Sequence, residues 1–292
     1  MASALRGKVL KLRVITIVYN PGEELRNFCY SVFRAFSDAR LVQSHMELVI
    51  VNNGSPCAIL EDLQNEYPIT VIEPSENLGY GRAANLGAQD FDGEWILVSN
   101  PDVVYEDTSI ADLVDIAEFY PRGGVFGPKI LTPEGDIYPS ARHFPRLVSG
   151  IGHALLKPVW ENNPFTRRYQ ENESVDRTHE VDWLSGACLL IRARAFLEVG
   201  GFDDRFFMFF EDTMLGEALK ERNWASVFVP QAVIIHDQGK SWRDRPAPMI
   251  RAHHESARTY LNAVYSKPYQ WPLRCLLGAG LKIRAALMTR GK

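Results

Sequence analysis

Short apolar runs alternate with amphipathic stretches through the first third of this 292-residue chain. The apolar runs have the length of buried strands, and the stretches between them have the spacing of helices. Strands that alternate with helices indicate a parallel sheet covered by helices, so the pattern predicts an α/β fold. The predicted strands are 14–18, 47–51, 69–73 and 95–99, and the predicted helices are 23–36, 59–66 and 81–89.

The second half of the chain is less regular. Residues 144–178 are rich in Pro, Asn, Trp and Arg, and we interpret them as a long excursion over the sheet, because their aromatic side chains favour burial against a surface. From residue 253 the pattern predicts helix, interrupted around Pro268 and Pro272. The other predicted strands are 183–191, 226–229 and 232–235, and the other predicted helices are 194–199 and 211–222.

Polar clusters follow each of the first four predicted strands. Asn, Asp, Gly and Pro favour turns, so turn geometry alone explains any one cluster. Clusters at four strand ends favour a binding site, because ligands of such sheets bind beyond the carboxyl ends of the strands. The clusters are 19–22, 52–55, 76–79 and 100–102.

Asp102 follows the fourth predicted strand and is a candidate metal ligand. A carboxylate at a strand end suits Mg2+ or Mn2+, which prefer oxygen ligands and often bridge to phosphates. His236 ends a later predicted strand and is a candidate second ligand, although a capping or core histidine explains it equally well.

Glu211 and Asp212 open a predicted helix directly after a glycine and aromatic loop at 200–210. The helix dipole alone favours acidic residues at this position. The aromatic side chains also predict a low-dielectric environment, which raises the pKa of a carboxyl group toward the range of a general base. Neighbouring residues on a helix point in different directions, so we expect only one of the pair to face a substrate.

Residues 79–84 have the spacing of a dinucleotide fingerprint, with Asp102 about 20 residues further on. The fingerprint normally follows the first strand, whereas this stretch follows the third, which argues against the match. A narrower hypothesis places the backbone of Gly79 and the side chain of Arg82 against a diphosphate at the start of the helix.

Charge is unevenly distributed along the chain. The formal net charge of −4 provides no global basic field, which argues against nucleic acid as a partner. After Glu255 there is no acidic residue, whereas seven Lys or Arg residues follow among apolar ones. We therefore separate a domain at 1–255 from a basic amphipathic tail at 256–292, which either lies on an anionic membrane surface or packs on the domain. The sequence has no apolar run long enough to span a bilayer, and its four scattered cysteines are typical of a reducing cytoplasm.

Four motifs in this order resemble family 2 glycosyltransferases with the GT-A fold and, within that family, bacterial rhamnosyltransferases. The resemblance extends over roughly residues 14–260. The motifs are 77–85, 99–102, 183–192 and 199–212, and two further stretches, 138–142 and 157–164, are similar to actinobacterial members of this group.

The resemblance implies a Rossmann-like GT-A domain, in which a mostly parallel sheet is flanked by helices, with a C-terminal helical extension. It implies an inverting, metal-dependent rhamnosyltransferase that moves L-rhamnose from dTDP-rhamnose to a polyprenyl-diphosphate-GlcNAc acceptor, in synthesis of the cell-wall linker of arabinogalactan. The implied cofactor is Mg2+ or Mn2+. Such an enzyme is expected in the cytoplasm, peripheral on the inner face of the cell membrane, and the sequence leaves its oligomeric state open.

Together, the motifs and the resemblance assign a role to each candidate residue. Nucleotide binding is assigned to Tyr19, Asn20, Asn52, Asn77, Gly79, Arg82 and Asn100, metal binding to Asp102 and His236, the sugar and acceptor pocket to Trp183, Ser185, Gly186 and Glu211, and the catalytic base to Asp212. Two positions depart from the family. Asn52 stands where Asp is usual, which leaves the nucleobase open, and Met214 stands where a second Asp is common.

Three alternatives remain. The stretch 79–84 motivates an NAD-type oxidoreductase, and Asn52 with Met214 motivates a nucleotide-sugar-binding protein without catalysis. The shared fold also suits another donor, such as UDP-GlcNAc or UDP-galactofuranose. For the rhamnosyltransferase, we expect Asp212 to take a proton from the acceptor hydroxyl and the polar stretch 237–248 to close over the donor as a lid.

Overall fold

The structure is a computed structural model that describes residues 9–41, 43–146, 175–237 and 246–289. Three sequence predictions therefore lie largely or wholly outside the described residues. They are the excursion at 144–178, the motif at 157–164 and the lid at 237–248.

Twelve strands and eight α-helices are found among the described residues. The strands are β1 (Lys11–Val18), β2 (His45–Asn52), β3 (Ile69–Ile72), β4 (Trp95–Ser99), β5 (Val103–Tyr105), β6 (Gly123–Leu131), β7 (Ile137–Tyr138), β8 (Ala141–Arg142), β9 (His179–Val181), β10 (Trp183–Leu184), β11 (Cys188–Arg192) and β12 (Ala225–His236). The helices are α1 (Glu23–Phe36), α2 (Ala58–Glu66), α3 (Tyr80–Gly87), α4 (Ser109–Glu118), α5 (Ala193–Val199), α6 (Glu211–Glu221), α7 (Pro246–Val264) and α8 (Trp271–Thr289), with a 3-10 turn at Pro268–Gln270.

The main sheet has the order β3–β2–β1–β4–β11–β6–β12–β5, and β7 and β9 pair with β6 and β12. The first four strands are parallel, β11 is antiparallel to both its neighbours, and β6 and β12 are parallel to each other. The strands that share one direction are β1, β2, β3, β4, β6 and β12. The predicted α/β fold, with a mostly parallel sheet flanked by helices, is confirmed.

Helices cover both faces of the sheet. Along β1, Leu12 and Val14 pack in a core with α1, α2 and α4, whereas Ile15 and Ile17 pack in a second core with α3, α5 and α6. Strands that are buried on both faces have continuous apolar sequences. This double burial is the reason that the central strands could be predicted from short apolar runs.

Two regions differ from the predicted elements. The single strand predicted at 183–191 is two strands, β10 and β11, separated by residues 185–187. The two strands predicted at 226–229 and 232–235 are one strand, β12, whose register against β6 shifts between Val229 and Val233. α4 and β6 were not predicted, although both are largely buried.

Of the two C-terminal helices, α7 packs on the domain. The boundary that we drew between residues 255 and 256 falls inside α7, where Ser256, Ala257 and Tyr260 are buried. The predicted break near Pro268 is present. Pro272 does not break the helix, because it lies in the first turn of α8, where backbone N–H groups have no intrahelical acceptor. None of the helices in the described residues combines the length and apolar character needed to cross a membrane.

Arg192, at the end of β11, joins α4 to the sheet. Its Nε donates to the Gly123 carbonyl at 2.9 Å, and its Nη2 donates to the Ala117 and Tyr120 carbonyls, both at 3.1 Å. Its guanidinium also lies 4.5 Å from the ring centroid of Trp95. Carbonyls at a helix C-terminus lack intrahelical partners, so a cation there stabilises the junction.

We expect Arg192→Leu to lower the free energy of unfolding by about 2–3 kcal/mol, because it removes three hydrogen bonds that one guanidinium donates. Urea denaturation measures the change. The matched control is Arg194→Leu, which removes only an exposed ion pair to Glu198 and is expected to cost less than about 0.5 kcal/mol. Equal losses in the two variants would contradict this role for Arg192.

Candidate active site

The candidate residues lie in loops beyond the carboxyl ends of the strands. β1, β2 and β4 are parallel and β12 has the same direction, so the residues that follow them emerge at one edge of the sheet. These residues are Tyr19 and Asn20 after β1, Asn52 at the end of β2, Asn100 and Asp102 after β4, and His236 at the end of β12.

Asp102 and His236 are direct neighbours. The Asp102 Oδ1 and His236 Nε2 atoms are 3.0 Å apart, and each side chain is 11% exposed. The antiparallel pairing of β5 with β12 brings them together, because it sets Val103, the residue after Asp102, opposite His236. The Nδ2 of Asn100 lies 3.3 Å from the same imidazole nitrogen.

This pair fits one side of a divalent cation site. Carboxylate oxygen and imidazole nitrogen are both ligands of Mn2+, and the Asp102 Oδ1 and His236 Nε2 atoms, 3.0 Å apart, are close enough to bind one cation. The described residues contain no cluster of three or more His, Cys, Asp or Glu side chains that could hold a metal. A cation here therefore needs oxygen ligands from a bound phosphate or water.

Glu211 and Asp212 begin α6 as the sequence predicted, and their environments differ. Asp212 is partly exposed; its Oδ2 accepts from the Gly186 N–H at 2.9 Å and its Oδ1 from the Thr213 N–H at 2.7 Å. Glu211 is only 7% exposed, and its Oε2 atom has no hydrogen-bond partner. Burial raises the pKa of Asp212. Burial and the nearby Asp212 charge raise the pKa of Glu211 to about 8, so Glu211 is mostly protonated at neutral pH.

The 185–187 segment, which separates β10 from β11, connects the Asp102–His236 pair to the Glu211–Asp212 pair. On one side, the carbonyl of Ala187 accepts from the Asn100 N–H at 2.9 Å. On the other side, Gly186 donates its N–H to Asp212. Residues from three distant parts of the chain therefore converge on one short segment.

Tyr80 is a site residue that the sequence analysis did not select. Its hydroxyl donates to the Gly186 carbonyl at 2.7 Å, so both polar groups of Gly186 are held by side chains. Burial, together with the charges of Glu211 and Asp212, raises the pKa of Tyr80 and keeps it a hydrogen-bond donor. The available signal was an aromatic residue between Gly79 and Gly81 at the start of a helix.

The hypothesis that backbone amides at the start of α3 face a diphosphate stays a prediction, but the amides of residues 78–80 are bonded within the protein. The Leu78 N–H donates to Asn53, the Gly79 N–H donates to Asn77, and the Tyr80 N–H donates to the carbonyl of a residue in the 200–210 loop. These amides are therefore occupied by the protein.

Close packing explains the glycines at 79 and 81. A Cβ atom at Gly79 would lie 2.1 Å from the Phe207 carbonyl oxygen, and its φ of +76° disfavours other residues. A Cβ atom at Gly81 would lie 3.0 Å from the Cβ of Phe202. The glycines at this spacing therefore allow close contact with the 200–210 loop. Arg82 is exposed, 3.4 Å from a Glu76 oxygen, and is a cation that a ligand could reach.

Asn52 shapes its own loop. Its side chain is buried; Nδ2 donates to the Ser55 carbonyl and to Glu73, both at 3.1 Å, and Oδ1 accepts from the Gly54 N–H. This bonding occupies the amide that we expected to contact a base. The exposed side chains beside it, Tyr19 and Glu73, are the ones available to a nucleotide.

The 200–210 loop is strained and is held in place by α7. Phe209 and Phe210 both have positive φ angles, +68° and +66°, which aromatic residues rarely adopt. From α7, Ser256 donates to the Met208 carbonyl at 2.7 Å, and the Tyr260 ring lies 5.4 Å from the Phe210 ring. Contacts from the C-terminal helix therefore fix the loop that precedes the two carboxylates.

Trp183 and Ser185 are bonded to the segment that contains β8. The Trp183 Nε1 donates to the His143 carbonyl at 3.0 Å, and the Ser185 N–H donates to the Ser140 carbonyl at 2.8 Å. Both residues are partly exposed. They belong to the small β8–β10 sheet, which packs along α6.

Comparison with known proteins gives consistent results. The model of the family described as Glycosyl transferase family 2 matches residues 13–200. The chain is 38% identical, over 96% of its length and 93% of the relative, to the N-acetylglucosaminyl-diphospho-decaprenol L-rhamnosyltransferase of Mycobacterium tuberculosis.

Two solved structures show a similar fold. GalNAc-T7 with UDP, GalNAc and Mn2+ matches 88% of this chain with a TM-score of 0.64 at 17% identity, and the chain spans about half, 48%, of that protein. Mannosyltransferase PcManGT from Pyrobaculum calidifontis, in complex with GDP-Man and Mn2+, matches 98% of this chain and 78% of its own with a TM-score of 0.56 at 15% identity.

We expect Gly79→Ala to lower the free energy of unfolding by roughly 3 kcal/mol, because it combines a disfavoured backbone conformation with a collision against Phe207. The control is Gly135→Ala. Gly135 also has a positive φ, but no atom lies within 4 Å of its added Cβ, so we expect a loss of about 1 kcal/mol. Thermal and urea unfolding measure both, and similar losses would show that the contact with Phe207 is not required.

Proposed function

The chain belongs to glycosyl transferase family 2, and on that basis we propose that it is an inverting rhamnosyltransferase that moves L-rhamnose from dTDP-rhamnose to a polyprenyl-diphosphate-GlcNAc acceptor. The observation that carries this proposal is the 38% identity, over nearly the whole of both chains, to an enzyme named for that acceptor and sugar. The structural neighbours support the fold alone.

The arrangement of acidic residues supports transfer from a nucleotide sugar. Asp102 and His236 on one side of the 185–187 segment are suited to the donor diphosphate, and Asp212 on the other side is suited to the acceptor hydroxyl. A divalent cation, Mg2+ or Mn2+, held by Asp102 and His236 would neutralise charge on the departing diphosphate.

In the proposed reaction, Asp212 accepts the proton of the acceptor hydroxyl as that oxygen forms a bond to the anomeric carbon. The bond from this carbon to the diphosphate breaks on the opposite face, so the configuration inverts and no sugar–enzyme bond forms. The Gly186 and Thr213 amides hold the Asp212 carboxylate in one orientation. Glu211 retains its proton at neutral pH, which keeps a second negative charge away from the anionic substrates.

We also propose that the protein is cytoplasmic and binds the inner face of the cell membrane through α8. Tyr269, Trp271 and Leu276 are 74%, 60% and 72% exposed, and no acidic residue follows Glu255. Interfacial aromatics and basic residues together favour an anionic leaflet. A lipid-linked acceptor would be met at this surface.

We expect purified protein with Mg2+ or Mn2+ and a prenyl-diphosphate-GlcNAc to form product with dTDP-rhamnose at least about tenfold faster than with UDP-GlcNAc or UDP-galactofuranose. Mass spectrometry of the lipid measures the product. We expect EDTA to abolish transfer and added cation to restore it. Faster reaction with either UDP-sugar would replace the donor assignment, and absence of any transfer would favour a binding protein.

We expect Asp212→Asn to reduce kcat by about 10³-fold or more, because an amide cannot accept the proton, while dTDP-rhamnose binding stays within about twofold of wild type. Single-turnover kinetics and calorimetry measure the two effects. Asp92→Asn is the control, since it removes a carboxylate exposed on the surface and paired with Lys11. An Asp212→Asn enzyme with normal turnover would reject the assignment of the base.

The pH profile of kcat/KM should separate the two carboxyl groups. The raised pKa of Asp212 places the acid limb above the range of an exposed Asp, because activity requires the ionised base. Glu211 is protonated below about 8 and ionised above it, so the wild-type activity should fall on the alkaline side of that value. Glu211→Gln should keep the acid limb and lose the alkaline fall. An unchanged alkaline limb in this variant would exclude Glu211 as its cause.

We expect the protein to float with phosphatidylglycerol vesicles and not with phosphatidylcholine vesicles, because the tail is basic. The double variant Trp271→Ser and Leu276→Ser should lose most of this binding. The control is Leu197→Ser on α5, which replaces a leucine that is also highly exposed, at 73%. Equal flotation of the double variant and the control would contradict membrane binding through α8.

A further inference from the structure

Arg142, in β8, is a cation without an anionic partner. It takes part in none of the ion pairs found among the described residues. Its guanidinium lies close to two aromatic rings, 5.2 Å from the Tyr138 centroid and 5.3 Å from the Trp183 centroid. Its Nε donates to the Pro139 carbonyl and its Nη2 to the Tyr138 hydroxyl, both at 2.8 Å. The group is thus held in position, and no carboxylate of the described residues lies within ion-pair distance of it.

The strand pairing places Arg142 beside the candidate base. Arg142 is opposite Trp183 in the β8–β10 pair, so their side chains share one face. The Cβ of Trp183 would lie 2.8 Å from a Cβ atom added to Gly216, which is one turn of α6 after Asp212. The charge of Arg142 lowers the pKa of Asp212, although burial has the larger, opposite effect.

The position of Arg142 separates it from the donor side. Asp102 and His236 are linked to the 185–187 segment through Asn100 and Ala187. Arg142 lies in β8, which pairs with β10, the strand that precedes this segment in the chain. Two other cations lie near this side, but Arg146 is paired with Glu217 and Lys220 with Asp182. Arginine binds phosphate oxygens in a planar, bidentate manner, and stacking on aromatic rings reduces the entropy lost when it does so.

We propose that Arg142 forms an anion subsite for the acceptor, in which its guanidinium binds the diphosphate that joins the acceptor sugar to its lipid. This inference rests on the proposed function. It explains why Arg142 is held close to two aromatic rings near the carboxyl groups of Glu211 and Asp212. It also makes the diphosphate part of acceptor recognition. An acceptor with the same sugar and lipid but no phosphate would not use this subsite.

The test compares the binding of two probes in the absence of donor, by calorimetry. One is a short prenyl-diphosphate-GlcNAc, and the other is a neutral GlcNAc glycoside of the same prenyl alcohol. We expect Arg142→Gln to weaken binding of the diphosphate probe by about 10- to 100-fold, the effect of one or two charge-assisted hydrogen bonds. Binding of the neutral probe and of dTDP-rhamnose should stay within about twofold, and Arg142→Lys should recover part of the loss.

The control is Arg205→Gln, since Arg205 is already paired with Asp203 and should not affect either probe. Equal weakening of both probes by Arg142→Gln would show a structural role and overturn the proposal, as would a loss of dTDP-rhamnose affinity alone. The outcome is independent of turnover. If the wild type transfers no rhamnose but Arg142→Gln still loses the diphosphate probe, the proposed function fails and the anion subsite stands.

Discussion

The arrangement of the site depends on the backbone of Gly186. Its N–H holds the carboxylate of Asp212, its carbonyl accepts the hydroxyl of Tyr80, and the next residue, Ala187, binds the backbone of Asn100. Each partner comes from a different part of the chain. Hydrogen bonds to a charged carboxylate are directional and short, so they set positions as well as contribute energy. A Cβ atom at this glycine would lie 3.3 Å from the Asp212 oxygen, which leaves little room for another residue.

The electrostatics of the site follow from this arrangement. Two acidic centres lie on either side of one backbone segment, and each is adjusted differently: Asp102 faces an imidazole, whereas Asp212 is bound by amides beside the protonated Glu211. The proposed division of labour uses that difference, with the leaving diphosphate near the first and the acceptor near the second. Arg142 adds a positive charge near Asp212 that forms no ion pair within the part of the chain that the structure describes.

The sequence predicted the parts of the fold that depend on local pattern. Strands buried on both faces were visible as apolar runs, and Glu211–Asp212 were visible as the start of a helix after an aromatic loop. α4 and β6 were missed because no polar motif marked them, and their junction depends on Arg192, whose acceptors are about 70 residues away in the chain.

The site was predicted less completely, because side-chain partners are set by tertiary contacts. Asn52 was expected to meet a base, but its amide is used by Ser55, Gly54 and Glu73. The glycines near Tyr80 have the spacing of a cofactor motif, which their place after the third strand argued against, and a neighbouring loop requires them. In both cases the residue type indicated an important position, but the sequence could not identify the group that the residue contacts. Many groups in the sequence could be that partner, and only the folded structure shows which of them lies nearby.

The clamp of α7 on the strained 200–210 loop has a consequence for biosynthesis. A chain leaves the ribosome from its N-terminus, so the strands of this protein emerge before Ser256 and Tyr260 do. Phe209 and Phe210 would then have no support for their unfavourable backbone angles, and the two carboxylates that follow them would not be fixed. The sheet of a nascent chain would therefore form before the two carboxylates are fixed in position. Catalytic activity would be delayed until α7 has packed against the 200–210 loop.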